Sequence, residues 1–564
     1  MVLLIIVVFL GIVLYLGIPA RSDENKTVSD HVIAGRSLGL WPIFFIGVAE
    51  FYSAGTFLGF PGWAYGYGAV VLFSLVAIAL SSMMSFWLGP KIWRAGKKLG
   101  LMTQAQFLSA RFQSRSLGAI AAIVAVFSLI ANLTMQMIGA GYIFEVSTQG
   151  LVPYWLGSLV AFLVVTVFVV LGGLRSISKV AIFKGIFMLS VIVAIAVVVV
   201  TQYFDGLEDM YRTLARTLPD HLVLSETDTA FGYAFWSSSI LVSFLGIHMG
   251  PYLFINFYSA RQPSLIRKQA IIAPVYALAV YAVLIIGFAG ALVKPGLAEA
   301  DTIMIIMILD IAPPWLVGLL CAGGLSAAMV SGSAMSLAAA STVGNDLMRP
   351  YLNIEEHTLK RTIQYLIILV IVLTYALSMT RPATITHISL VALGIGVQFL
   401  PLVLGSLYFR RCNRWGAIAG LTTGIATLAW FTFGPVKNPF GIHAGLIGLL
   451  VNTSSLWIVS LLTRPNDDHI IAEFEDAARE SGITSAKFNW EKIYLPGAAI
   501  LIMASLWPVV TVFNRIEPYI AGQPMFVVYS VSFAFTVTLF LALMYRACRT
   551  EAGGQPPANT RDIK

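Results

Sequence analysis

The stretches LIILVIVLTYALSM (366–379) and VIVAIAVVVV (191–200) decide the architecture. Neither carries a charge, and neither alternates apolar with polar residues. An apolar run of about 20 residues crosses roughly 30 Å of hydrocarbon as a helix. In lipid, every backbone group must be bonded within the structure, which leaves helices or closed barrels. Barrel strands need alternating segments of about ten residues, so these runs read as helices. The remainder agrees: 58% of the 564 residues are hydrophobic and 11% are charged, with a mean hydropathy of +0.85. Soluble domains average about 25% charged residues. The expected fold class is therefore an all-α membrane protein.

On either side of these runs, further apolar segments bring the total to about fifteen transmembrane helices, near 2–18, 42–64, 69–90, 118–142, 153–173, 178–201, 232–258, 269–293, 314–341, 361–380, 385–408, 415–433, 442–463, 494–513 and 525–546. They are numbered below as spans 1 to 15. Span 1 lacks the basic leader and small-residue cleavage site of a signal peptide, and Arg21, Lys26 and Arg36 follow it closely. It reads as a retained helix with its N-terminus outside. With odd-numbered loops cytoplasmic, 28 of 35 Lys and Arg lie inside and 6 outside, leaving Lys184 within a span. That asymmetry predicts N-out, C-in. It also accounts for the net charge of +8 without nucleic acid as a partner. Cys321, Cys412 and Cys548 show no metal or disulfide spacing, and no cofactor is expected. The acidic loop 464–493 (NDDHIIAEFEDAARES) reads as a surface helix and solvated linker, and 547–564 reads as a disordered cytoplasmic tail.

Several segments, in order, resemble the sodium/solute symporter family: AGRSLG (34–39), FLGFPGWAYGYG (57–68), TQAQFLSARF (103–112), LGGLRSIS (171–178) and GLSAAMVSGSAMSLAAAST (324–342). The resemblance covers roughly 30–410. It implies a five-plus-five inverted-repeat core, with 42–201 and 202–410 as the repeats. An extra N-terminal helix and loop (1–41) and extra C-terminal helices (411–546) flank it. In such transporters the first helix of each repeat is broken near mid-membrane. Span 2 holds Ser53, Gly55, Gly59 and Pro61-Gly62, and span 7 holds Gly246 and Gly250-Pro251. AEFYSAGT (49–56) and SFLGIHMGP (243–251) are thus the expected unwound segments.

The resemblance also implies a sodium site between spans 2 and 9. Its carbonyls would come from Ala49, Tyr52 and Ala328, and its hydroxyls from Ser331 and the next residue. That next residue is Gly332, which has no side-chain oxygen, and the family's span-6 aspartate falls on Ala181. Lys184 follows three residues later. Two readings of Lys184 stand: a side chain snorkelling to the interface, or an ammonium at the vacated sodium position, binding and releasing a proton in sodium's place. The coupling ion is accordingly H⁺ or Na⁺. Glu50 either pairs with Lys184, carries protons in the cavity, or faces a neighbouring helix protonated. His248 is either structural or a solute contact and proton-linked switch. His387 and His443 read as interface residues. Further cavity candidates are Tyr52, Ser53, Gly55, Thr56, Asn132, Gln136, Trp236, Ser243, Phe244 and Gln398.

No soluble catalytic domain fits between the spans, no facing histidine pair suits haem, and no filter repeat suits a channel. A transporter-like sensor would be expected to carry an appended signalling domain, which is not visible in the sequence. The expectation is a secondary transporter for a small solute. Broken-helix N-termini with a cationic or histidine group favour an organic acid or amino acid.

Overall fold

The computed structural model describes residues 1–18, 27–225, 230–381, 384–478 and 490–550, with backbone alone for Glu50 and residues 470, 477, 478, 549 and 550. Most of the expected tail (551–564) and part of the acidic loop lie outside the described residues, as does the Glu50 side chain. Among the described residues the chain is helical and forms no strand, only isolated bridges. Ten helices there are long and apolar enough to cross a bilayer. An eleventh is the bent pair Tyr233–Met249 and Pro251–Ser259, whose halves meet at 48°.

The difference from fifteen has physical causes. Expected spans 5 and 6 are two helices joined without a loop within Tyr154–Tyr203, and they meet where Gly173 takes φ +56° and ψ −147°. The outer part of span 2 likewise adjoins span 3 within Gly55–Lys98, the chain turning between them at Gly68, at φ +62° and ψ −134°. Helices Val2–Gly17 and Glu491–Ser505 have 16 and 15 residues, short of the ~20 a perpendicular crossing needs. Fifteen crossings remain an expectation.

Helix contacts sort the core into two groups. Span 9, Pro314–Thr342, packs on Arg115–Ser147 and Tyr154–Tyr203. Its GGLSAAMVSGSAMSLAAAST run explains the closeness, because Gly, Ala and Ser let helix axes approach where lipid supplies no hydrophobic drive. Span 3, Phe73–Lys98, instead packs on Tyr233–Gly246 and Pro263–Tyr276. Of the broken spans, span 7 packs on Phe73–Lys98 and the outer half of span 2 on Leu278–Val293, while its inner half, Leu40–Gly47, packs on Tyr154–Tyr203. Helix Arg414–Phe433 pairs with Ala444–Leu462 as a peripheral hairpin, exposing Trp415, Trp430, Phe433, Ile458, Leu461 and Leu462.

The acidic loop does form a helix, Asp468–Ala478. It is more than a solvated linker. Ile471 and Phe474 are buried, Phe474 meets Phe107 edge-on at 5.0 Å, and Arg410 clasps Glu475 through two bonds of 2.6 and 2.8 Å.

Candidate functional site

Span 2 breaks where the sequence places Ala49. Helix Leu40–Gly47 ends, Glu50–Tyr52 make a single 3₁₀ turn, and Ser53 is extended. A wide turn, Gly55–Gly59, then leads into Phe60–Tyr67. The irregular part is thus about 48–54, and Gly55 and Thr56 already belong to the outer half. In span 7 the helix continues through Gly246, so 243–246 are not unwound as expected. The break is confined to Ile247–Met249 and the extended Gly250. Backbone groups freed this way need partners, and in lipid only protein, solute or ion can supply them.

At the Ala49 carbonyl two of the expected cation-site side chains meet. Ser331 donates its hydroxyl to this oxygen at 2.7 Å. Lys184 donates to the same oxygen at 3.1 Å. The Lys184 side chain is 2% exposed, which overturns the snorkelling reading: the ammonium turns inward onto span 2. Among the described side chains no carboxylate pairs with it. Ala181 and Ala328 are fully buried on the helices that carry Lys184 and Ser331.

Gly332 is accounted for by a residue that sequence reasoning misses. A Cβ there would stand 2.8 Å from Cε1 and 3.0 Å from Cζ of Phe162, and 3.2 Å from Leu133. Phe162 is itself 1% exposed, so the space of a second hydroxyl is filled by its ring. No local pattern signals this, because Phe162 lies 170 residues away in sequence. Gly332→Ser is expected to overpack this contact and destabilise the protein by about 1–3 kcal/mol. The apparent unfolding temperature in detergent would show it, and an unchanged value would refute the contact.

The remaining candidates divide. Gln136 accepts a 2.9 Å bond from the Ala54 amide, capping the outer half of span 2, and its Nε2 is buried without a partner. Thr56 donates to the Phe51 carbonyl at 2.6 Å. Ser243 Oγ, His248 Nδ1 and Tyr252 Oη are likewise buried and unpartnered. His248 stacks on Phe257 at 6.2 Å and meets Phe51 edge-on at 6.5 Å. Asn132, Gly246, Gly250 and Tyr252 line a cavity of about 10 Å³ at the break, room for about one water. Ser53, Gly55 and Phe244 are buried nearby in the two broken spans.

Three candidates point elsewhere. Gln398 donates to the Gly394 and Gly445 carbonyls at 3.1 and 3.0 Å and accepts from Asn452, tying span 11 to span 13. Trp236 donates to the Ser505 carbonyl at 3.1 Å. Tyr52 donates its hydroxyl to the Tyr276 carbonyl, so its side chain is tied to the helix Pro263–Tyr276. His387 bonds Thr384 at 2.7 Å. His443 is 5% exposed and accepts from the Gly445 amide at 2.9 Å, a helix cap inside the protein and not an interface residue.

Two helices broken at mid-length and facing a small-residue scaffold, with unpartnered buried polar atoms at the breaks, define a secondary transporter. Residues 31–424 match the model of the Sodium:solute symporter family, and the chain belongs to that family. It is 28% identical over 482 residues to an uncharacterized symporter, YhjB, of Bacillus subtilis, covering 81% of this chain and 97% of that one. It is 26% identical over 439 residues to the sodium/pantothenate symporter of Escherichia coli, covering 75% and 89%. Its fold is similar to that of a Na⁺-coupled sialic acid symporter in a substrate-bound outward-open state, with a TM-score of 0.69 and 17% identity over 83% of this chain and 98% of that one. The core is thus the inverted-repeat transporter fold, and the chain is an integral membrane symporter for a small solute, not an enzyme.

Proposed function

We propose that this symporter takes up a small organic acid or amino acid using protons, with Lys184 serving where its relatives hold sodium. The observation that carries the reading is the Lys184 ammonium on the Ala49 carbonyl at 3.1 Å, beside Ser331. An ammonium is a compact cation with three donors and no acceptor. Placed on carbonyl oxygens it satisfies backbone groups that a bound cation would otherwise satisfy. Unlike a guanidinium, it can give up its proton inside a protein, so the charge can be released as well as held. Uptake would then alternate between a protonated lysine holding span 2 against spans 6 and 9 and a neutral one that lets them separate. His248, edge-on to Phe51 at 6.5 Å, and Glu50, next to Ala49 in the chain, are the titratable residues assigned to handling the proton and the solute's charge.

Pantothenate, named for one relative, is a carboxylate, which agrees with the unpartnered donors at the breaks. The excess of Lys and Arg on odd-numbered loops supports N-out, C-in. A second reading keeps sodium as the coupling ion at a modified site, and the family and the pantothenate relative favour it. Proteoliposome uptake separates the two. Labelled short monocarboxylates, pantothenate and proline are offered under an imposed pH gradient without sodium, then under a sodium gradient at equal pH. The proton reading expects accumulation in the first condition, and accumulation only in the second would replace it with sodium coupling.

A further inference from the structure

Away from the broken spans, a surface cavity of about 450 Å³ opens where the helix Gln104–Phe112 meets the hairpin of spans 12 and 13. It lies on the face with the Lys and Arg excess. Phe112 and Gln113 form one wall, and Arg414, Trp415, Arg464 and Asn466 form much of the other. Asp467 contributes the lining's carboxylate, so two guanidinium groups face one acid.

The donors there are unmet. Among the described residues, neither the Arg414 nor the Arg464 guanidinium has a hydrogen-bond or ion-pair partner; Arg414 rests on the Trp415 ring at 5.1 Å. The Asn466 side chain accepts from the Arg414 amide at 3.3 Å, yet its Nδ2 is buried with no acceptor. Buried amide donors are rarely left this way without a ligand or water. Arginine's planar fork suits phosphate oxygens.

The surroundings narrow the source of the phosphate. Leu462 lines the cavity and is 81% exposed. Leu461, Ile458 and Trp415 continue an exposed apolar face along the hairpin, the kind of surface acyl chains cover. A free phosphate would use the donors and ignore both that face and most of the volume. We infer that this cavity binds the headgroup of an anionic phospholipid, its phosphate between Arg414, Arg464 and Asn466 and its chains along spans 12 and 13.

The position gives the lipid a consequence. The helix ending at Phe112 begins with Gln104, which donates to the Met249 carbonyl at the break of span 7 at 2.9 Å. An occupied cavity therefore braces the peripheral hairpin against the helix that touches the break. Lipid binding at this position is independent of which ion drives transport.

The test uses the purified full-length transporter and native mass spectrometry, with dioctanoyl phosphatidylglycerol, dioctanoyl phosphatidylcholine and inorganic phosphate as separate probes. Phosphatidylglycerol should bind in preference to phosphatidylcholine. R414Q/R464Q should weaken it roughly twenty-five-fold, about fivefold per guanidinium, while K437Q, on the opposite face, should not. Both arginines are exposed, so the variants should fold, and unfolding temperature with each probe gives a second readout. Equal binding of phosphatidylglycerol by wild type and double variant would overturn the site. Inorganic phosphate binding as tightly as phosphatidylglycerol, or no preference over phosphatidylcholine, would overturn the lipid assignment.

Discussion

K184M is expected to abolish solute accumulation driven by a pH gradient while leaving exchange of labelled for unlabelled solute intact. One pH unit across the membrane is worth about 1.4 kcal/mol, a concentration ratio of about ten for one proton per solute. With no titratable group donating to the Ala49 carbonyl among the described side chains, that ratio should fall to about one. Methionine fills a similar volume without charge or donor. Removing a buried ammonium that lacks a carboxylate among the described side chains should not unfold the protein, and an unchanged unfolding temperature would confirm that control. K184R sharpens the test. Guanidinium does not deprotonate in proteins, so the contact to span 2 would persist without release, and both accumulation and exchange should be lost. Proton-driven accumulation retained in K184M would sink the role assigned to Lys184.

G173A is expected to have the largest effect on folding. At φ +56° and ψ −147° the backbone lies where only glycine sits without strain, and a side chain there costs about 1–3 kcal/mol. The added Cβ would also stand 2.3 Å from the His31 carbonyl oxygen, an overlap that rigid backbone cannot relieve. The fold between spans 5 and 6, which aims Lys184 at Ala49, depends on this residue. Yield of monodisperse protein and apparent unfolding temperature in detergent measure the effect. G11A is the control, a helical position where an added Cβ meets nothing within 4 Å and alanine is the better helix former. Equal behaviour of the two variants would show that the turn tolerates a side chain.

Much of the site is legible in the sequence because its signals are local. Gly250-Pro251 and the Ser53–Gly59 run announce broken helices, since Pro removes a donor and Gly weakens a helix within one turn. Ser331, Gly332, Ala181 and Lys184 can be placed because helical spacing keeps their relative positions on spans 6 and 9. Orientation around the helix axis is not legible for polar residues with more than one neighbour. Gln398 and Trp236 sit in spans that line the core but turn to spans 13 and 14. Tyr52 turns to Tyr276. A polar residue in a span must face something bonded, and linear sequence does not say which partner helix offers it.

Membrane class, helical architecture, family and the glycine standing at the second hydroxyl position, Gly332, all follow from the chain read as a string of residues. They rest on composition, on runs long enough to cross hydrocarbon, and on residue identities at fixed helical spacing. The inward turn of Lys184 onto Ala49 and the Phe162 ring in the space beside Gly332 belong instead to the packing of the folded chain. Both are contacts between helices more than a hundred residues apart. Their geometry depends on how small-residue faces pack and where Gly173 folds the chain, and no local spacing encodes that.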